Sequence, residues 1–279
     1  MIMSETVKRT VLDYDDICQM APFFQGKPKL VKFLMHLLSV DKVNWINDHN
    51  FDTPGVPFVQ GLLSDLDIKM DVEGREVLEN LPEGGFITIS NHPFGALDGI
   101  MLIKLVGEYR PDFKVMVNMI LNHITAMRPN FIAVDAYESD DPAHRAVSVH
   151  GIAESIGHVR GGHPLGFFPA GAVSKFSRNM RVEDRAWQPS VMRIIQKMRV
   201  PVIPICFHGS NSLWSLFLGM VDWRLRTLRL PAEVFRRKGD TFRIRVGHPI
   251  MPDVISQYNT EQLASFLPQQ TYALKGWKL

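Results

Sequence analysis

The spacing of apolar residues changes along the chain, and each change marks a different kind of element. Leu30, Phe33, Leu34, Leu37 and Leu38 fall at the i, i+3, i+4, i+7, i+8 spacing of an amphipathic helix, with Lys27, Lys29 and Lys32 near its start. Before it, residues 1–26 hold few periodic apolar positions and end in Pro22-Phe23-Phe24-Gln25-Gly26, which predicts a loosely packed lead-in. From Asp67 the pattern becomes strand-like and then alternates. Short apolar runs at 86–90, 114–117, 131–134, 166–168 and 202–207 are separated by helical stretches around 100–107, 143–159 and 191–198. Such alternation predicts the α/β class: a mainly parallel central sheet flanked by helices, with an N-terminal amphipathic helical segment. Thr241 to Val246 alternates with period two and predicts a half-exposed edge strand. A last helix is expected to open near Glu261 and to break or kink at Pro268. The chain divides on this reading into an N-terminal helical segment, residues 1–64, with a candidate membrane-facing surface, and an α/β domain, residues 65–279. The longest loops are expected at 137–142 and 174–189.

Composition narrows the class. A chain of 279 residues, 46% hydrophobic and 22% charged, can bury a full core. No charged-then-apolar leader opens it, and the longest strongly apolar stretches, such as 213–221, fall well short of the ~18 residues that span a bilayer. Cys18 and Cys206 are distant thiols without pair spacing, as expected in a reducing compartment, so a cytoplasmic location is expected. The net charge of +2 is too small to imply nucleic-acid binding, but it is unevenly spread. Residues 222–246 carry eight Lys and Arg against three acids, a local +5, which leaves about −3 for the rest. This basic zone, interleaved with Trp223, Leu225, Leu228, Leu230 and Phe235, suits either an anionic membrane surface or a solvated helix face.

The candidate chemistry lies in Asn91-His-Pro-Phe-Gly-Ala-Leu-Asp-Gly99, between the apolar runs 86–90 and 100–103. A buried strand here ends in a turn that opens a helix, which puts the His92 imidazole where open α/β sheets place their ligands. An imidazole serves as a base near neutral pH when one ring nitrogen is held by an acceptor and the other faces the substrate, and Asp98 supplies that acceptor. The other reading makes His92 a turn residue and Asp98 a first-turn acid favoured by the helix dipole. No P-loop, dinucleotide glycine fingerprint, nucleophile elbow or zincin helix motif occurs, and the remaining histidines form no metal-ligand cluster. His208, after a strand end, is the one other histidine near this edge.

The stretch resembles the His-Asp box of the glycerolphosphate and lysophosphatidate acyltransferase family, and most closely its hemolysin-like and ornithine-lipid branch. The five residues from Pro93 to Leu97 make the His-Asp interval one longer than the family's usual box. The resemblance covers roughly residues 65–250 and implies a base at His92 oriented by Asp98, with Asn91 and Gly95 at the substrate. Phe168, Pro169 and Gly171 lie in a Phe-Phe-Pro-Ala-Gly run that matches the family's Phe-Pro-Glu-Gly box, with Ala170 in place of the acid. That replacement points away from glycerol 3-phosphate or lysophosphatidate as acceptor and toward a lyso-aminolipid or an atypical lysophospholipid. Beside this run, Lys175, Arg178 and Arg181 are candidates for an anionic head group. Where the family carries an arginine after its Phe-Ile strand, this chain has Asp135, and Arg128 is the nearest cation upstream. Val200-Pro-Val-Ile-Pro-Ile205 resembles the fourth box, an irregular or edge-adjacent strand that can wall an acyl chain.

The resemblance implies transfer of a fatty acyl chain from an acyl thioester, carried on acyl carrier protein or coenzyme A, to a lyso-lipid hydroxyl. The thioester would be a co-substrate, with no cofactor and no metal. Backbone N–H groups near Gly95 or Gly171 would be candidates for the oxyanion. The expected partners are a membrane lipid surface, on its inner face, and the thioester carrier, with no nucleic acid. Two other functions remain open at this level: a non-catalytic, hemolysin-like membrane-binding protein, and a lipid or thioester hydrolase that uses the same histidine to activate water.

Overall fold

Strand pairing follows the apolar runs. The computed structural model describes residues 8–134, 142–176, 182–221 and 223–276. Its strands are β1 (Lys69–Glu73), β2 (Ile87–Ser90), β3 (Lys114–Asn118), β4 (Phe131–Val134), β5 (Leu165–Phe167), β6 (Lys175–Phe176), β7 (Val182–Glu183), β8 (Val202–Phe207) and β9 (Thr241–Val246). Seven of them form one sheet in the order β1-β9-β8-β2-β5-β3-β4, while β6 and β7 make a small antiparallel hairpin. All neighbours in the sheet are parallel except β8 and β9. The α/β class with a mainly parallel sheet is therefore the observed one.

Helices cover both faces. Before β1 come α1 (Tyr14–Met20), α2 (Pro28–Leu37), α3 (Val40–Asn50) and α4 (Val56–Asp65). Later come α5 (Arg75–Glu79), α6 (Ala96–Gly107), α7 (Pro142–Arg160), α8 (Pro189–Met198), α9 (Leu213–Val221), α10 (Trp223–Arg236), α11 (Pro252–Ile255) and α12 (Thr260–Ala273). One core joins Phe58 and Leu63 of α4 and Met101 and Leu102 of α6 to Ile203, Phe207 and Ile244 of the sheet. The second joins Ile87, Ile89 and Phe167 to Ile195 of α8 and Leu263 and Leu267 of α12. α6 is apolar almost all round because it is buried almost all round, which fixes its first turn against the sheet edge.

Five expectations change. β9 is not an edge strand: β1 pairs along its outer side, residue for residue from Lys69–Thr241 to Glu73–Arg245. Its alternation is real, with Phe242, Ile244 and Val246 buried, but it reports a half-exposed face. β8 is buried along its whole length between β2 and β9. Pro204 is tolerated there because its side of the strand faces the end of β9, where the Gly247 N–H donates to the Pro204 carbonyl at 2.8 Å and no ladder donor is needed. α12 runs through Pro268 without breaking, anchored by buried Leu263, Leu267 and Thr271. The expected loop at 174–189 contains the β6–β7 hairpin, and the lead-in contains α1, which opens on a capping box between Asp13 and Asp16. Residues 137–141 of the expected loop, Asp135, Arg178 and Arg181 lie outside the described residues, and Pro142 opens α7.

Candidate active site

β2, β5 and β8 run parallel, so their carboxyl ends come out at one edge of the sheet. His92 follows the end of β2, Phe168 the end of β5 and His208 the end of β8. The turn after β2 is tight. Gly95 has φ 79°, the left-handed region that glycine reaches without strain, and it caps α6. Asp98, in the first turn of α6, reaches back over the turn, and its Oδ2 accepts the N–H groups of Phe94 at 2.8 Å and Gly95 at 2.9 Å. The residue that lengthens the His-Asp interval is absorbed in this turn, and Nδ1 of His92 comes within 2.9 Å of Asp98 Oδ2.

The contact is close but not straight. The in-plane N–H direction of the ring misses the carboxylate, and among the described residues neither His92 Nδ1 nor Asp98 Oδ1 has an aligned hydrogen bond. Bonds of this kind are commonly misaligned before a substrate tightens the site. Asp98 is completely buried. That burial pushes its pKa up, against the opposing pull of His92 and the two backbone N–H groups. The His92 ring stacks on Phe168, with centroids 4.3 Å apart and 29° between planes, and remains 18% exposed. A base-plus-orienter geometry of this kind can take a proton from an approaching hydroxyl on its free edge.

The backbone of His92 is clamped at both its N–H and its carbonyl. Its N–H donates to Asp184 Oδ2 at 3.2 Å, and its carbonyl accepts the Ser174 N–H at 2.9 Å. Asp184 also accepts the hydroxyls of Ser174 and of Tyr272, the latter at 2.6 Å. Neither Asp184 nor Tyr272 carries a motif that marks it in the sequence. Asp184 lies 92 residues from His92, and no spacing signal connects them.

Other expected site residues fall elsewhere or are already occupied. Asn91 is buried and spans two strands: its Nδ2 donates to the Phe207 carbonyl at 2.8 Å and its Oδ1 accepts the Phe207 N–H at 2.7 Å. Both bonds go to Phe207, so the side chain is fixed between the ends of β2 and β8. The Gly95 N–H is used by Asp98 and the Gly171 N–H by the Phe168 carbonyl at 2.9 Å, so neither glycine offers a free donor to an oxyanion. The carbonyl of Pro169 accepts the Gln188 N–H at 3.0 Å. Ala170, where the resemblance expects an acid, is buried. Lys175 is exposed on β6, one residue after Ser174 and so at the rim of the site. Arg128 is not at the site: it leads into β4, whose start is level with the start of β3, and donates to the Asn122 carbonyl at 2.8 Å. That is the opposite end of the strands from His92.

His208 lies at the same edge as His92. Its backbone N–H donates to the Arg243 carbonyl at 3.0 Å, and burial, with Arg245 and Lys275 adding to it, holds its pKa below the usual value. A cleft of about 470 Å³ opens beside the turn, with Pro93, Ser174, Asp184, Trp187, Gly209 and Tyr272 among its walls. Cys206 is a core residue whose thiol burial pushes up to about 12. Among the described residues there is no cluster of His, Cys, Asp and Glu able to hold a metal, and no helix is long and apolar enough to cross a membrane.

A family model described as Acyltransferase matches residues 19–277. The chain belongs to the acyltransferase family and is an acyltransferase of lipid metabolism. It is 27% identical over 254 residues to the lyso-glycine lipid O-acyltransferase of Phocaeicola vulgatus, covering 88% of this chain and 87% of that one. It is also 27% identical over 277 residues to the lyso-glycine lipid O-acyltransferase of Bacteroides thetaiotaomicron, covering 95% and 97%. Among solved structures, the 1-acyl-sn-glycerophosphate acyltransferase of Thermotoga maritima aligns over 90% of this chain and 97% of that one, at 14% identity and a TM-score of 0.48.

Proposed function

We propose that the protein moves a fatty acyl chain from an acyl thioester to the hydroxyl of a lyso-aminolipid of the lyso-glycine lipid class. The observation that carries this reading is the 2.9 Å approach of His92 Nδ1 to the buried Asp98 carboxylate, with the ring backed by Phe168 at the open end of the sheet. His92, oriented by Asp98, takes the proton of the acceptor hydroxyl as its oxygen attacks the thioester carbonyl. The C–S bond then breaks, and the departing thiolate takes the proton back from the imidazolium. No covalent enzyme intermediate is required. A positioned base contributes about 10²–10⁴ in rate, and alignment of hydroxyl with thioester contributes more. The acceptor class is supported by the substrate named for both curated relatives and by Ala170 in place of the family's acid. The donor is an acyl carrier protein or coenzyme A thioester.

The membrane partner is read from two outward faces. α2 turns Val31 inward and leaves Leu30, Phe33 and Leu37 exposed beside exposed Lys27, Lys29 and Lys32. α9 exposes Leu213, Trp214 and Phe217 next to the partly exposed Arg236. Apolar side chains among cations suit the headgroup boundary of an anionic leaflet. Residues 1–64 would dock the protein peripherally on the inner face of a membrane, and residues 65–279 would carry the chemistry. The test incubates wild type and His92→Ala with a radiolabelled acyl donor and a panel of lyso-lipids that includes a lyso-glycine lipid. His92-dependent esterification of that lipid is expected. No ester product from wild type, or labelled fatty acid released with acceptor in excess, overturns the reading.

A further inference from the structure

We infer that Asp184 is a positioning residue for the acyl transfer, acting through the backbone of His92 with Tyr272 and Ser174 as its supports. The inference rests on His92 being the base. Of residues 92–95, Pro93 has no N–H to give. The other three N–H groups all end on two carboxylates, those of Phe94 and Gly95 on Asp98 and that of His92 on Asp184. The carbonyl of His92 is held by the same clasp, because the Ser174 N–H donates to it at 2.9 Å and the Ser174 hydroxyl, 3.2 Å away, is shared between it and Asp184.

A backbone N–H needs only one acceptor, and a serine hydroxyl would provide it. A carboxylate serving the turn after β2, the β6–β7 hairpin and α12 at once does more, because it fixes the three elements to one another at the backbone of the base. Tyr272 comes from the second core layer, where α12 packs through Leu263 and Leu267, so the clasp anchors the turn to a rigid element. Burial and the neighbouring Asp184 charge keep the Tyr272 hydroxyl protonated far above neutral pH, so it stays a donor. Among the described residues, the ring of His92 has only Phe168 and the unaligned Asp98 contact to orient it. Its position therefore depends on its own backbone, and a shift of about 1 Å in such a group costs on the order of 10²-fold in rate.

The test compares Asp184→Ala, Asp184→Asn and Tyr272→Phe with wild type and His92→Ala, using the acyl donor and lyso-lipid of the esterification assay. Asp184→Ala should lower kcat by about 10–100-fold with KM for both substrates within about threefold of wild type. Asp184→Asn should stay within about threefold of wild type in kcat, because an amide oxygen still accepts from His92 and Tyr272, and the Ser174 hydroxyl can accept from the amide NH₂. Tyr272→Phe should fall between the two. Amide hydrogen exchange in the peptide holding residues 91–95 should speed up in Asp184→Ala and not in Asp184→Asn. Should Asp184→Ala fail to fold, Tyr272→Phe and Asp184→Asn carry the comparison. Full kcat in Asp184→Ala or Tyr272→Phe beside an inactive His92→Ala overturns the role of Asp184 alone. Equal loss in Asp184→Ala and Asp184→Asn, with exchange unchanged, overturns it too. An active His92→Ala overturns the base reading and this inference together.

Discussion

Replacing Asp98 by alanine and by asparagine separates what the carboxylate does for the fold from what it does for the reaction. In the alanine variant the N–H groups of Phe94 and Gly95 lose their acceptor inside a turn that water does not reach. Each orphaned buried donor costs about 1–3 kcal/mol, so Asp98→Ala should lose about 2–6 kcal/mol of stability. The asparagine oxygen can take both N–H groups, and its NH₂ then lies where the buried, unpartnered Oδ1 of Asp98 now lies. That placement costs about 1–3 kcal/mol, offset by removing a charge that burial disfavours. Asp98→Asn should therefore remain close to wild type in stability. In both variants the His92 ring loses its anionic neighbour, and kcat for acyl transfer should drop by about 10²–10⁴.

The sign of the pH dependence follows from the raised Asp98 pKa. A carboxyl whose folded value lies above its ordinary 3.8 adds stability that is complete below that pH and lost as pH rises through the folded value. The stability of Asp98→Asn relative to wild type should thus improve from about pH 4 to about pH 8. Urea unfolding at several pH values and the esterification assay measure both effects. An Asp98→Asn enzyme with wild-type kcat would refute the orienting role, and an Asp98→Ala protein as stable as Asp98→Asn would refute the accounting of the two N–H groups.

Gly95→Ala puts a Cβ 3.1 Å from Leu230 Cδ2 and 3.2 Å from Val173 Cγ2 at a positive φ, so it should cost about 1–2 kcal/mol in thermal melts and reduce kcat as well. Asp112 is pulled up by partial burial, but the Arg110 guanidinium and His163 outweigh that and hold it down at about 2. Its contribution is present above the ordinary 3.8 and lost as pH falls toward 2. Asp112→Asn should cost about 1–2 kcal/mol at neutral pH and almost nothing in acid, as read by urea unfolding. Trp214→Ala and Phe217→Ala should each weaken sedimentation with anionic phospholipid vesicles by about tenfold, while esterification of a detergent-dispersed lyso-lipid is unchanged. Wild-type vesicle binding in the double variant would remove α9 from the docking face.

Much of the sheet was legible because apolar runs of three to six residues have few other uses in an alternating chain. The edge was not. Lys69 to Glu73 and Thr241 to Val246 both alternate, and alternation reports which face meets water, not which strand lies outermost. The β6 and β7 strands have two residues each, below the length at which a period can be read. Arg128 is near the expected arginine position along the chain but not near His92 in space. A parallel crossover returns the chain to the starting end of the next strand, so a residue just before β4 is carried away from the ends of β2 and β5.

The deeper limit concerns hydrogen bonds already spent. Gly95 and Gly171 invite a reading as open backbone at the sheet edge, since a sequence names a residue without naming its partner. In the folded chain the N–H groups of residues 92, 94, 95 and 171 end on Asp184, Asp98, Asp98 and the Phe168 carbonyl. The turn is thus built to hold a ring and an acid in register rather than to receive the oxygen of a substrate. A substitution that breaks this accounting, Gly95→Ala or Asp98→Ala, should therefore change stability and kcat together. One that keeps every N–H satisfied, Asp98→Asn, should change kcat with little effect on stability.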